Sequence, residues 1–354
     1  MSAHLHVDLG AFEHNLTRVR ERVGPADVMV VVKDDAYGHG LGPVVRRATR
    51  SGARWFGAFD VATGTAVRAA AGPSARVFVW MLGGSDDVER ALDADLDLGI
   101  GDADLLREVG RAARRRGAPA RVHLKVDSGL HRNGIRPEDW PDAVDALDRY
   151  RRDGILDPAG VWSHLAEASD AEDDLSRGVF EDALTRVTTA GWRPVRHLAA
   201  SAAAWMRSDF RYDLVRVGAF CYGIRPAGGP AEADLGLAPV ATLTAQIVEI
   251  TASGVAIDIG GVDGLPARAA GWPVLTDAGP HPILRVEDLT TWIADWPTAR
   301  VGDMVTVFGD PRSGAGSITA LAEAAGTIGE EIAVRLSPRV ERSYREASDG
   351  LQES

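Results

Sequence analysis

The chain has 354 residues, enough for one large domain plus a smaller one with a sizeable buried core. Hydrophobic residues at 45% and charged residues at 25% are ordinary for a globular protein, and the net charge of −12 argues against a nucleic-acid or anionic-membrane partner. The single Cys221 excludes an intramolecular disulfide, no apolar run approaches the roughly 20 residues that cross a bilayer, and Met1-Ser2-Ala3-His4 is no secretory leader, so a cytoplasmic protein is expected.

From Leu5 to about Ala227, short β-branched runs alternate with longer helical patterns. Leu5–Leu9, Val28–Val32, Trp55–Phe59, Val77–Met81, Leu98–Ile100, Val122–Val126, Gly160–His164, Val195–Leu198 and Leu214–Val217 read as strands, with amphipathic helical segments between them. Roughly eight such units in this span favour a closed (β/α)8 TIM-like barrel, assigned to residues 5–228. The texture changes at Pro226, Gly228, Gly229, Pro230 and Gly236. Afterwards Val240–Ile250, Val255–Ile259, Val274–Leu275, Ile283–Val286, Thr291–Ile293, Met304–Phe308 and Ile332–Leu336 read as strands, with one helix near Ser317–Ala325. A second, mostly-β domain therefore takes 235–354, and its polar end, Arg342–Ser354, is expected to fray.

In a β/α barrel the chemistry gathers at the C-terminal ends of the strands. Lys33 ends the run Val28–Val32 and opens the polar turn Asp34-Asp35-Ala36-Tyr37-Gly38-His39-Gly40. Desolvation there would lower an amine's pKa, as a Schiff-base lysine requires; alone, a strand-end lysine is as readily solvated. Arg132 in Lys125-Val126-Asp127-Ser128-Gly129-Leu130-His131-Arg132, His164 in Trp162-Ser163-His164-Leu165-Ala166, and Arg216 in Leu214-Val215-Arg216-Val217-Gly218-Ala219 fall at further strand ends. Ser201, in His197-Leu198-Ala199-Ala200-Ser201, stands at a helix start, where unbonded N–H groups favour an anion; a plain N-cap serine is the alternative.

These stretches, in this order, resemble the motifs of the alanine racemases, beginning with the cofactor-lysine motif Val-Val-Lys-Ala-Asn-Ala-Tyr-Gly-His-Gly. The resemblance implies a pyridoxal 5'-phosphate enzyme acting at the α-carbon of a small amino acid, an amino-acid racemase working as a homodimer. It implies that Lys33 is the catalytic, cofactor-bearing lysine and that Arg132 meets the phenolic oxygen. His164 would pack on the ring and Arg216 face the pyridine nitrogen. Tyr37, Ser201, Gly218 and Ala219 would hold the phosphate. Lys125 corresponds to a lysine carbamylated in some relatives, and Ala200 replaces an asparagine contact.

The second domain departs from the pattern. The family's Gly-Tyr-Ala-Asp-Gly-Xaa-Pro-Arg supplies a tyrosine from the partner subunit as the second acid/base; here Gly260-Gly261-Val262-Asp263-Gly264 puts Gly261 in its place. Ile283–Thr291 carries no recognisable Gly-Arg-Val-Ser-Met-Asp-Gln, and Glu330 aligns with a late tyrosine that supports the phosphate. A carboxylate would repel phosphate, so Glu330 is expected to point elsewhere. With glycine at 261, either another group acts as second base, with His281, Asp263 and Tyr222 candidates by type, or the enzyme is a one-base decarboxylase or eliminase. The alternatives are a non-catalytic pyridoxal phosphate-binding protein and, from His4-Leu5-His6 on one strand face, a metal hydrolase; no further ligand set joins those histidines, so no metal is expected.

Overall fold

The computed structural model describes residues 3–346. Its strands in chain order are β1 (Ala3–Asp8), β2 (Asp27–Val31), β3 (Trp55–Ala58), β4 (Arg76–Val79), β5 (Asp97–Ile100), β6 (Ala120–Lys125), β7 (Leu156–Trp162), β8 (Val195–His197) and β9 (Leu214–Val217). There follow β10 (Ala241–Thr251), β11 (Gly254–Ile257), β12 (Pro273–Thr276), β13 (Gly279–Val286), β14 (Thr291–Ile293), β15 (Met304–Phe308) and β16 (Glu341–Arg345).

Two compact units emerge. One comprises Val19–Lys33 and Ala48–Gly218; the other comprises the described residues up to Arg18, Asp34–Arg47, and those from Ala219. In the first, β2 to β9 form an eight-stranded parallel sheet in the order β8-β7-β6-β5-β4-β3-β2-β9. The ends meet: Asp213 donates its N–H to the Arg196 carbonyl at 3.2 Å, and Arg216 to that of Ala199 at 3.1 Å, which closes a (β/α)8 barrel. Strands β3, β5 and β9 are buried at every position, as expected where a core fills one face and helices cover the other. Helices begin with side-chain caps at Asp60, Asp102 and Ser169, each accepting from a backbone N–H three residues on.

In the second unit, β10, β11, β14, β13, β12 and β15 pair antiparallel around a ring, and β10 also pairs with β1, which in turn pairs with β16. The result is an antiparallel β-barrel with a two-strand extension. Three sequence expectations change here. The strand read at Leu5–Leu9 is β1 of this sheet, not a barrel strand. Its alternation, with Ala3, Leu5 and Val7 buried between His4, His6 and Asp8, is the one-sided pattern of an antiparallel strand. Ile332–Leu336, read as a strand, belongs to the helix Gly329–Arg335, which buries Ile332 and Ala333 and carries Glu330 and Glu331 in its first turn. The polar end expected to fray from Arg342 instead begins with β16, parallel to β1; its remainder past residue 346 lies outside the described residues.

Candidate active site

The top of the parallel barrel gathers basic side chains. Lys33 follows β2 and is half-buried; Lys125 ends β6 and is buried; Arg132 lies exposed on the loop after β6; Arg216, on β9, is buried. Their charges converge on His164. Burial first, then Arg216, Arg132, Lys125 and Lys33, push the His164 imidazole down to about 3, so it is neutral at physiological pH. Burial, with Arg132 and Arg216 nearby, lowers Lys125 to about 8. Its ammonium sits 4.6 Å from the centre of the Trp162 ring, which Arg216 also approaches, at 5.3 Å.

Arg216 is held on several sides. It donates to the carbonyls of Ser163 (2.8 Å), Leu198 (2.9 Å) and His197 (3.0 Å), and to Nδ1 of His164 (3.1 Å) and of His197 (3.3 Å). Burial lowers it to about 9, partly countered by Glu167, so it remains a guanidinium. Ser201 accepts from the Gly218 N–H at 3.2 Å. Ala200, not Ser201, is the N-cap of the short helix Ser201–Met206, so the plain N-cap reading of the serine is corrected. Glu167, which sequence reading passed over, receives the Ala203 N–H of that helix at 3.4 Å.

The chain after Lys33 is unusual. Asp34, Asp35, Ala36 and Tyr37 all have φ between 52° and 54°, a left-handed turn of residues with side chains. Such a turn costs about 1–2 kcal/mol per residue, which local bonds must offset. Gly38 donates to the Asp34 carbonyl (2.8 Å), Gly40 to that of Asp35 (2.9 Å), and the Asp35 carboxylate receives the Leu41 N–H (2.7 Å). The glycine of the motif is required: at Gly38, φ is +74°, and a Cβ would stand 2.4 Å from the Ala333 carbonyl oxygen.

Tyr37 is buried with its ring 4.9 Å from Tyr222. Burial, then the charges of Glu330, Asp34 and Cys221, raise its phenol above the ordinary tyrosine range and keep it a donor. The Glu330 charge is among those acting on Tyr37. Ala219 opens a buried 3-10 turn, Ala219–Tyr222.

Gly261 begins another 3-10 turn, Gly261–Asp263, and donates to the Glu287 carbonyl at 2.8 Å. A Cβ there would meet only that oxygen, at 3.6 Å, an ordinary contact. The side chains suggested as a replacement base are engaged. Asp263 is buried, accepting from the Gly260 N–H (3.0 Å) and paired with Arg339 (2.9 Å). His281 shares Nδ1 with the Gly279 carbonyl and Thr276, its ring 4.9 Å from Trp296. Tyr222 is fully buried, and burial raises its phenol well above the usual range. The metal reading also loses its premise. His4 and His6 lie in the antiparallel sheet, His4 facing Glu341 at 3.6 Å and His6 bonded to Ser343 and Thr244. Among the described residues no three His, Cys, Asp or Glu are placed to hold a metal.

The barrel-top set of four cations and a neutral imidazole, two of the cations being primary amines at strand ends, suits an anionic ligand with a carbon open to attack by an amine. Residues 7–226 match the family model "Alanine racemase, N-terminal domain" and 246–344 match "Alanine racemase, C-terminal domain". The alanine racemase of Beutenbergia cavernae is 39% identical across 96% of both chains, and that of Thermobifida fusca 37% across 97% of this chain and 98% of its own. The crystal structure of alanine racemase from D-cycloserine-producing Streptomyces lavendulae superposes with a TM-score of 0.91 at 32% identity, covering 99% and 98% of the two chains. The Streptomyces coelicolor A3(2) enzyme gives 0.91 at 34%, covering 97% and 98%. These relatives are named as racemases, which leaves the decarboxylase, eliminase and non-catalytic readings without support.

Proposed function

The chain belongs to the alanine racemase family, and we propose that it is a pyridoxal 5'-phosphate-dependent racemase of a small amino acid, alanine foremost. The observation that carries this is the convergence of Lys33, Lys125, Arg132 and Arg216 on His164. When bound, pyridoxal phosphate supplies an aldehyde that condenses with amines and a ring that draws negative charge from the α-carbon.

Lys33 would hold the cofactor and is placed to take or return the α-proton on its own face, the D-amino acid's in this family. Arg132 would donate to the phenolic oxygen, and neutral His164 would pack on the ring. Arg216, always protonated, would donate a hydrogen bond to the ring nitrogen without surrendering a proton to it. Ser201 and the Gly218 N–H would be donors for the phosphate, the role the family resemblance also gives Ala219 and Tyr37. Gly261 moves no proton, so the chain brings one base, Lys33, where its family brings two. The second proton transfer is the slow one, by about two to four orders of magnitude relative to a site with a positioned phenol.

The working form is a homodimer in the cytoplasm, with the parallel barrel of Val19–Lys33 and Ala48–Gly218 as cofactor domain and the β-rich unit as its companion. Incubation of the purified protein with pyridoxal phosphate and D-alanine, followed by chiral chromatography, tests the reading. Appearance of L-alanine, absent with Lys33→Ala, supports it; a bound cofactor that never yields the other enantiomer would sink it. Sedimentation at micromolar concentration checks the dimer.

A further inference from the structure

The core of the parallel barrel is mostly aromatic and aliphatic, with Met29, Trp55, Phe78, Trp162 and Leu214 packed together. Yet Asp97 on β5, His123 on β6 and His197 on β8 are fully buried among these side chains. Left unbonded, each would carry the full cost of its desolvation. They are not: the three make one line ending on Arg216. The Asp97 carboxylate faces His123 Nε2 at 3.3 Å, His123 Nδ1 faces His197 Nε2 at 2.9 Å, and His197 Nδ1 faces Arg216 Nη1 at 3.3 Å.

The two ends fix where every proton lies. Asp97, held by Arg76 at 2.9 Å and paired with Arg121, can only accept. Burial alone would raise its pKa, but its hydrogen bonds to and electrostatic attraction by His123 and Arg76 outweigh that and hold it well below the usual carboxylate range. His123 must therefore carry its proton on Nε2, leaving Nδ1 as an acceptor. His197 then carries its proton on Nε2 and presents a lone pair at Nδ1 to Arg216, which can only donate. A charged His123 would turn the line around. Its Nδ1–H would demand the lone pair of His197 Nε2, and His197 Nδ1–H would meet the Arg216 N–H head on. Burial, with His123 and Arg216 nearby, pushes His197 far below the ordinary imidazole range, consistent with a neutral ring.

We propose that Asp97 is a positioning residue, acting through His123 to fix the tautomer of His197 so that Arg216 finds an acceptor there rather than a competing donor. The guanidinium is thereby held in one orientation from the floor of the barrel, three side chains away. That this orientation serves the ring nitrogen rests on the function proposed above; the proton positions do not.

The test is a histidine-15N-labelled sample of the full chain, read by long-range 15N–1H correlation at neutral pH with and without pyridoxal phosphate. Signals are assigned with His123→Asn and His197→Asn. Both rings are expected neutral and protonated on Nε2. Asp97→Asn, whose amide oxygen still accepts, keeps that pattern. Asp97→Leu is expected to lose the pure Nε2–H form of His197 and gain Nδ1–H. If that variant does not fold, His123→Phe removes the same acceptor beside Trp55 and Phe78 and is expected to do likewise. In the loaded protein the cofactor's absorption band is expected to shift in Asp97→Leu but not in Asp97→Asn. His197 protonated on Nδ1 or on both nitrogens in the unmodified protein, or unaltered by the variants, overturns the proposal. Failure to bind pyridoxal phosphate would instead overturn the cofactor assignment, because the tautomers are read without it.

Discussion

In the parallel barrel, strands such as β3, β5 and β9 are buried at every position, and Lys33, Lys125 and Arg216 stand on or beside strand ends; in the antiparallel sheet β1 alternates, and the turn that the family resemblance matches to a tyrosine carries Gly261. The barrel's reactive groups are hard to lose singly. Arg216 alone has five hydrogen bonds to carbonyls and imidazoles, so its removal strands buried acceptors as well as the chemistry. Gly261 sits in a turn set by backbone bonds, from its own N–H to Glu287 and from Val262 to Asp288, which no side chain at 261 is needed to make. A catalytic side chain there can vanish while the fold stays. Under the proposed function, the half-reaction on the lysine face would be tied to the core, and the one on the other face would hang on a single side chain the fold does not need.

Breaking the barrel side should give the largest effect. Lys33→Ala is expected to abolish covalent attachment of the cofactor, read as loss of its Schiff-base absorbance, and to lower racemisation by about four orders of magnitude. Restoring the other side should come next. Gly261→Tyr, whose Cβ meets nothing closer than 3.6 Å, is expected to raise interconversion of the alanine enantiomers by about 10²-fold or more, measured by polarimetry or chiral separation.

Gly38→Ala sharpens the comparison from the fold. A Cβ at φ +74° and 2.4 Å from the Ala333 oxygen is expected to cost about 2–4 kcal/mol, checked by urea unfolding.

The smallest effect is electrostatic. Lys125 is lowered to about 8 from 10.5, so between those values the unfolded chain binds more protons than the folded one, and stability rises with pH across that window. Below about pH 8 both states are protonated and the penalty is fully present. Lys125→Met should therefore be the more stabilising at pH 7, with its advantage over the unmodified chain shrinking toward pH 10.

Much of the barrel was legible because continuous β-branched runs such as Val28–Val32 and Val77–Met81 mark strands buried on both faces. The motif residues, Lys33 to Tyr37 among them, were readable only through their match to a known family, since a strand-end lysine by itself is more often merely solvated. The strand β1 was visible, but its alternating histidines had to be weighed to place it in the other sheet. Ile332–Leu336 misled because a short apolar run does not distinguish a strand from one buried helical turn; Gly329-Glu330-Glu331 before it was the available sign. Asp97, His123 and His197 were beyond reach of spacing. They stand 26 and 74 residues apart and meet only because strands β5, β6 and β8 belong to one closed sheet. Glu167 was missed because it follows a recognised motif rather than lying within it.

The most direct test of the account is Cα-deuterium incorporation in D₂O, with the pyridoxal phosphate-loaded protein given D-alanine and L-alanine separately. A site with Lys33 on one face and glycine opposite predicts rapid exchange of D-alanine and exchange of L-alanine slower by about two orders of magnitude or more, with Lys33→Ala silent for both. Equal, rapid exchange of the two enantiomers would contradict it, because an efficient second base would then be working on the face left to Gly261.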